Sequence, residues 1–243
     1  MVPTLELRKV RAGYGTIDVL RGLDLAVQPG EVHALLGPNG AGKSTTLAVC
    51  SGRISPSAGQ ILLDGREVNG VTSDALARIG VCCIPEGRGI FPNLTVDENL
   101  RMFTHAGTSY ADVRGRAFAQ FPRLGERHRQ LAGTLSGGEQ QMLSMSRALA
   151  TSPALLMLDE LSMGLAPLIV EQLYEIVGQL AQQGISILIV EQFAQAALGV
   201  ATTASIMLHG QIVHSGPPQH VATELAAMYM GTGEHHASTT GGP

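Results

Sequence analysis

Lysine is nearly absent from this chain. Of 16 basic residues only Lys9 and Lys43 are lysines, and 20 acidic residues leave a formal net charge of −4 over 243 residues. That balance gives no electrostatic basis for binding nucleic acid. No apolar run approaches the ~20 residues of a membrane-spanning helix. Met1-Val2-Pro3-Thr4-Leu5-Glu6 has neither the basic start nor the apolar core of a secretion signal. The expectation is a chain that stays in the cytosol or is held at a membrane by partners. Cysteine is scarce too: Cys50, Cys82 and Cys83 form no C-x-x-C pair, which favours reduced, buried thiols over metal or redox chemistry. The remainder, 44% apolar and 15% charged, suits a soluble globular protein with a real core, as one large domain or two lobes.

With lysine so rare, the setting of Lys43 carries weight. It lies in Gly37-Pro38-Asn39-Gly40-Ala41-Gly42-Lys43-Ser44-Thr45, which reads G-x-x-x-x-G-K-[ST], the phosphate-cradling P-loop. Val32 to Leu36 before it is apolar enough for a buried strand. Ser44 to Cys50 after it can begin a helix, with Gly52 as a stop. The glycines let successive N–H groups point into one concavity, and the helix N-terminus adds partial positive charge. Lys43 would then bring a full charge to the β- and γ-phosphates, and the Ser44 hydroxyl would ligate Mg²⁺. A glycine-rich turn with a surface lysine is the bland alternative. Strand, loop and helix in the required order speak for a nucleotide site.

Around this motif the chain reads as an α/β mixture. Leu5, Leu7 and Val10, then Leu23, Leu25 and Val27, alternate as antiparallel strands. Gly59 to Gly65 predicts another strand ending in an Asp-Gly turn. Ile79 to Ile84 predicts a short buried strand, and Thr95-Val96-Asp97-Glu98 has capping-box spacing for a helix through Phe103. Residues 105 to 134 suggest a peripheral helical lobe. Gly138-Glu139 opens a helix with Met142, Met145, Ala148 and Leu149 on its apolar face, a core stripe rather than a cofactor site. The apolar runs Ala154–Leu158 and Ile185–Val190 suit parallel strands covered on both faces. Between them Leu168, Leu173, Ile176, Val177 and Leu180 mark an amphipathic helix stopped at Gly184. The stretch 232–243, with His235 and His236, reads as a disordered, solvated tail.

Asp159 and Glu160 end the first of those apolar runs. After a P-loop, an aspartate here holds Mg²⁺ and the next carboxylate polarises the attacking water. By themselves they could equally be a helix N-cap. A GTPase would need a later Asn-Lys-x-Asp element, and no lysine follows Lys43. Leu135-Ser136-Gly137-Gly138-Glu139-Gln140-Gln141 places a serine and two glycines at a helix start, a second anion-binding surface. One chain has no obvious use for two. A dimer, in which this helix end meets the γ-phosphate held by the other subunit, makes use of both.

On these residues the sequence resembles the ATP-binding subunits of ABC transporters, whose signature is LSGGEQ, over roughly residues 4 to 231. The resemblance implies a P-loop ATPase core with a mixed sheet, an antiparallel β subdomain, and a helical signature subdomain inserted at about 93–150. It implies ATP and Mg²⁺ as ligands, with Gly37, Asn39, Gly40, Ala41, Gly42, Lys43, Ser44 and Thr45 around the phosphates. Ser136, Gly137 and Gly138 would close the site from the other subunit. Tyr14 looks like the aromatic that stacks on adenine. Glu86 stands where most relatives have the glutamine that senses Mg²⁺ and touches the membrane partner. Leu161 to Ala166 resembles the loop crossing the dimer interface, with Leu161 replacing a common proline. Gly89 replaces an expected arginine, and Gln192 stands in place of the switch histidine. Glutamine can donate to phosphate but takes no proton.

Glu86 to Pro92 and Val190-Glu191-Gln192 look like the shorter ATPase of branched-chain amino-acid importers; urea and short-chain amide importers carry a similar one. The partners implied are a second copy or a sister ATPase, two membrane permeases and, indirectly, an extracytoplasmic substrate-binding protein, at the cytoplasmic face of the membrane. No nucleic acid is expected. The competing expectation is a non-transport ABC ATPase that works as a nucleotide-gated binding module.

Overall fold

The computed structural model describes residues 2–87, 89–104, 108–151, 153–192 and 194–231. Four strands make an antiparallel sheet: β1 (Leu5–Tyr14), β2 (Ile17–Val27), β4 (Ala58–Leu63) and β5 (Arg66–Glu67), in the order β2-β1-β4-β5. The alternation predicted from sequence sets its buried face, with Leu5 opposite Val27 and Leu7 opposite Leu25, all buried. Irregular register follows Leu7, where Lys9 takes a left-handed φ of 49° and its exposed side chain pairs with Asp24. The Asp-Gly turn after β4 forms as expected: Asp64 and Gly65 both have positive φ, the pairing a tight type I′ hairpin turn requires.

The second sheet holds β3 (Val32–Leu36), β6 (Val81–Ile84), β7 (Leu155–Asp159), β8 (Ser186–Glu191), β9 (Thr203–Leu208) and β10 (Gln211–Gly216), in the order β10-β9-β3-β8-β7-β6. All neighbours run parallel except β9 and β10. Every residue of β3, β7 and β8 is buried. That is why their sequences are continuous apolar runs rather than alternations. The sheet is mixed, as the fold class required. β6 starts later than expected, because Ile79 caps the preceding helix and is 59% exposed.

Helices α1 (Lys43–Cys50) and α2 (Ser73–Arg78) lie between β3 and β6. Between β6 and β7 run α3 (Val96–Met102), α4 (Tyr110–Gln120), α5 (Pro122–Glu126), a 3-10 turn at Ala132–Thr134 and α6 (Gly137–Thr151). The α3 capping box is complete: Glu98 N–H donates to Thr95 Oγ1 at 3.2 Å, and Thr95 N–H to Glu98 Oε2 at 2.7 Å. These helices have no core of their own. Val96, Leu100, Val113 and Leu124 pack in the same cluster as Leu156, Leu158 and Ile187 of the sheet. The methionine stripe of α6 is core, with Met142, Met145 and Ala148 buried; the Leu149 side chain is outside the described set.

The remaining helices are α7 (Pro167–Gln182), α8 (Ala194–Val200) and α9 (Pro218–Gly231). Leu173, Ile176, Val177 and Leu180 face the core as predicted, but Leu168 is 65% exposed and lies off the stripe. A second cluster beneath the antiparallel sheet joins Leu5, Leu23 and Leu47 to Leu188 and Met207. The three cysteines are free; Cys50 and Cys82 are buried, while Cys83 is only half-buried. The predicted tail at 232–243, with His235 and His236, falls outside the described residues, as does Arg88.

Candidate functional site

Three adjacent strands deliver the site. In the parallel register Leu36 lies opposite Glu191, and Val190 opposite Asp159, so β3, β8 and β7 end at one edge. Open parallel sheets bind ligands at such carboxyl ends. From β3 the chain enters the glycine loop, closed by the Ala41 N–H donating to Pro38 O at 3.2 Å. Gly42 caps α1 in a left-handed conformation (φ 111°), with no side-chain cap and no acidic residue in the first turn. Those first N–H groups are left for an anion. Gly37 is required by close approach: a Cβ there would sit 2.3 Å from Met207 O on β9.

Lys43 is 4% exposed and donates from Nζ to Gly37 O at 2.9 Å and Pro38 O at 3.1 Å. Its Nζ is 3.9 Å from Glu160 Oε1. Burial lowers the Lys43 pKa, opposed by the carboxylates of Glu160, Asp159 and Glu191. Ser44 Oγ donates to Asp159 Oδ1 at 3.4 Å. Burial, then the neighbouring charges of Glu160 and Glu86, push Asp159 up to about 6. Glu160 follows β7 with φ 47°, a conformation that strains a non-glycine residue by roughly 1–2 kcal/mol. Its N–H donates to Val190 O at 2.9 Å, which holds it there.

A cavity of about 440 Å³ opens over this edge. Asn39, Gly40, Gly42, Lys43, Ser44 and Thr45 line one side. Glu86 and Glu160 face them. The size falls in the small-ligand range. Gly37 and Ala41 are buried behind the loop, and Asp159 reaches the site through Ser44. The lining also takes in Met163, from the loop expected to cross the dimer interface, and Val19, which sequence reasoning did not single out.

Several predicted positions lie outside this lining among the described residues. Tyr14 is 55% exposed at the end of β1. Gln192 follows β8 and does not line the cavity. Ser136, Gly137 and Gly138 sit at the start of α6, also off the cavity. There Ser136 donates from its N–H (2.9 Å) and its hydroxyl (2.8 Å) to Glu139 Oε2, while Arg127 Nε lies 3.1 Å from Glu139 Oε1. Burial works to raise the Glu139 pKa, but these Ser136 donors and the arginine outweigh it and leave it lowered. Gly138 permits α6 to pack on α7, since a Cβ would meet Ile169 Cγ2 at 2.8 Å.

Sequence reasoning also missed two buried supports. Asn99, wholly buried, accepts from the Phe91 N–H at 2.8 Å and donates to the carbonyls of Phe91, Leu94 and Thr95, fixing the loop ahead of α3. Glu191 binds Ser162 and Tyr174. A charged residue closing an apolar run was the available signal for Glu191; Asn99, next to Asp97 and Glu98, gave none.

No cluster of three or more His, Cys, Asp or Glu able to hold a metal occurs among the described residues. The donors present are the Ser44 hydroxyl and the Asp159 carboxylate. They fit Mg²⁺, which takes one or two carboxylates and fills its shell with water and substrate phosphate.

A strand, a glycine loop against a helix N-terminus and an acidic pair on a nearby strand define a P-loop ATPase. Solved structures agree on the fold. An "ATP binding subunit of ABC transporter" superposes with a TM-score of 0.81 at 27% identity, covering 95% of this chain and all of that one. The "ADP conformation" of an ABC-transporter ATP-binding cassette gives 0.82 at 24% identity, covering 96% of this chain. The ABC transporter family matches residues 20–162. The chain is 44% identical over 211 residues to the "High-affinity branched-chain amino acid transport ATP-binding protein BraG" of Pseudomonas aeruginosa, covering 86% of this chain and 91% of that protein. It is 34% identical to the "Probable branched-chain amino acid transport ATP-binding protein LivF" of Archaeoglobus fulgidus, covering 87% and 91%. This chain belongs to the ABC transporter ATP-binding family, and its activity is ATP hydrolysis coupled to transport.

Proposed function

We propose that this chain energises import of branched-chain amino acids. The identity to BraG over nearly the full length of both chains carries that substrate assignment. Two ATP-binding subunits, this chain with itself or with a sister ATPase, pair around two nucleotides. The loop and Lys43 of one subunit hold the phosphates, and Ser136 to Gly138 of the other approach from across, which accounts for a signature helix end that lies off the cavity of its own chain. Tyr14 stacks on adenine from its exposed position. Ser44 and Asp159 would hold Mg²⁺, with Glu86 nearby, and the ion when bound would supply positive charge to the phosphates.

Glu160 orients the attacking water and takes its proton; Lys43 meets the charge that develops on the phosphates. Gln192 donates a hydrogen bond to the γ-phosphate. Pairing moves two membrane permeases through the segment from Glu86 to Phe91, a residue that is 46% exposed. None of the described helices is long and apolar enough to cross a membrane, so the chain reaches the cytoplasmic face through those permeases. An extracytoplasmic binding protein delivers the solute.

The test is to purify the chain with its permeases, reconstitute them with the binding protein, and measure ATP turnover. Leucine, isoleucine or valine should stimulate it. Stimulation by urea or short amides alone would replace the substrate assignment. Stimulation by DNA or ribosomes, with no permease recovered, would favour a nucleotide-gated binding module.

A further inference from the structure

Glu191 ends β8, where it is the single charged residue, and it is 1% exposed. Three donors converge on it. Oε1 accepts from the Ser162 N–H at 2.9 Å and the Tyr174 hydroxyl at 2.7 Å; Oε2 accepts from the Ser162 hydroxyl at 3.0 Å. Burial pushes the Glu191 carboxyl up and the Glu160 charge adds to this, while the donors from Tyr174 and Ser162 pull it down without cancelling the rise. Burying a carboxylate is expensive unless it is hydrogen-bonded. An apolar residue at the end of β8 would fill the space without fixing anything outside the strand.

What it fixes is the loop. Ser162 lies in the segment 161–166 between Glu160 and α7, and Met163 of that segment lines the cavity. Gln192 is the next residue after Glu191. Glu160 is held from the same strand end, through its N–H to Val190 O. The buried carboxylate therefore ties the loop expected to cross between subunits, and Tyr174 of α7, to the strand end that holds Glu160 through Val190 O and runs on into the candidate switch residue.

We infer that Glu191 is a positioning residue, a strut that sets the loop at 161–166 relative to Glu160 and Gln192 so that subunit pairing is converted into hydrolysis. The inference rests on the paired-subunit reading above. Without the strut the phosphates still bind, because the glycine loop and Lys43 make no hydrogen bond to Glu191. The water-activating geometry loosens instead. A small misplacement of a catalytic group costs rate rather than affinity.

The test uses Glu191→Leu, which nearly keeps volume but removes both acceptor oxygens, with Ser162→Ala and Tyr174→Phe as single-bond deletions. In the assembled transporter, kcat of Glu191→Leu should fall about 10- to 100-fold, with KM and the ATP Kd by calorimetry within about threefold of the parent. The double variant with Ser162→Ala should be no slower than Glu191→Leu alone, because both act through one contact. ATP-driven pairing, followed by sedimentation in a Glu160→Gln background, should persist. A kcat within twofold of the parent, or losses that multiply independently in the double variant, would overturn the strut while leaving the paired-subunit reading intact. A parent chain that never pairs with ATP, with itself or a sister ATPase, would remove that reading and the strut's purpose together.

Discussion

Replacing Asp159 by asparagine should make the isolated protein more stable and the enzyme nearly inactive. Asp159 is 6% exposed, beside Glu160 and Glu86, and its carboxyl is pushed from 3.8 to about 6. That gap corresponds to an upper bound of about 3 kcal/mol held against the folded state when the group is ionised. Because the folded value is the higher one, the penalty is complete above pH ~6. It shrinks as pH falls through that value, to about a third by pH 4.5, and vanishes below the unfolded value of 3.8. Asparagine keeps an acceptor for the Ser44 hydroxyl and removes the charge. In a chain of this size 1 kcal/mol moves Tm by about 2–4 °C. After discounting for water reaching the cavity, Asp159→Asn should raise the nucleotide-free Tm by about 4–8 °C at pH 8 and by about 1–3 °C at pH 4.5. Thermal melts by circular dichroism at the two pH values measure this directly. An Asp159→Asn variant that melts at or below the parent at pH 8 would refute the claim that burial, with repulsion from Glu160 and Glu86, makes the Asp159 charge costly at this edge. ATPase activity should fall at least ~10²-fold through weakened Mg²⁺ binding.

Glu160→Gln should cut turnover by roughly 10²–10⁴ while ATP affinity stays within about threefold; near-normal hydrolysis would remove Glu160 from its role. Lys43→Ala should weaken ATP binding itself, and an unchanged calorimetric Kd would contradict the cradle. Gly37→Ala must displace either the loop or β9, given 2.3 Å to Met207 O. It should lose both Tm and ATP affinity, whereas Gly40→Ala, with open space around it but φ 78°, should lose only about 1 kcal/mol. Asn99→Ala leaves the Phe91 N–H without its acceptor, while the carbonyls of Phe91, Leu94 and Thr95 keep their backbone donors; denaturant melts should show a loss of about 1–3 kcal/mol.

Local patterns carried the reading of β3, the glycine loop and α1, because strand, turn chemistry and helix start follow one another directly along the chain. The buried strands β7 and β8 were equally plain as apolar runs. The chain from 201 to 231 gave no such signal. β9 interleaves Thr203 and Ser205 with apolar residues, and Ser205 is tolerated in the core because His33 Nε2 and the Ser215 hydroxyl both lie 2.9 Å from it. Those partners are 172 and 10 residues away, and pattern alone does not bring them together. Leu168 misled for a simpler reason: five positions before Leu173 it falls on the far side of α7, and it is Ile169, one residue on, that packs against the core. At the site, the acidic pair and Lys43 were legible from spacing, while Ser162 reaches Glu191 across 29 positions.

The scarcity of lysine has a practical consequence. Lys9 is 80% exposed on the antiparallel sheet and Lys43 4% exposed in the phosphate cradle. An amine-selective acylating reagent therefore meets only two ε-amines, one indifferent to nucleotide and one beneath it. A mass spectrum of the two peptides, with and without ATP, would report site occupancy against an internal standard, with no dye or engineered cysteine added.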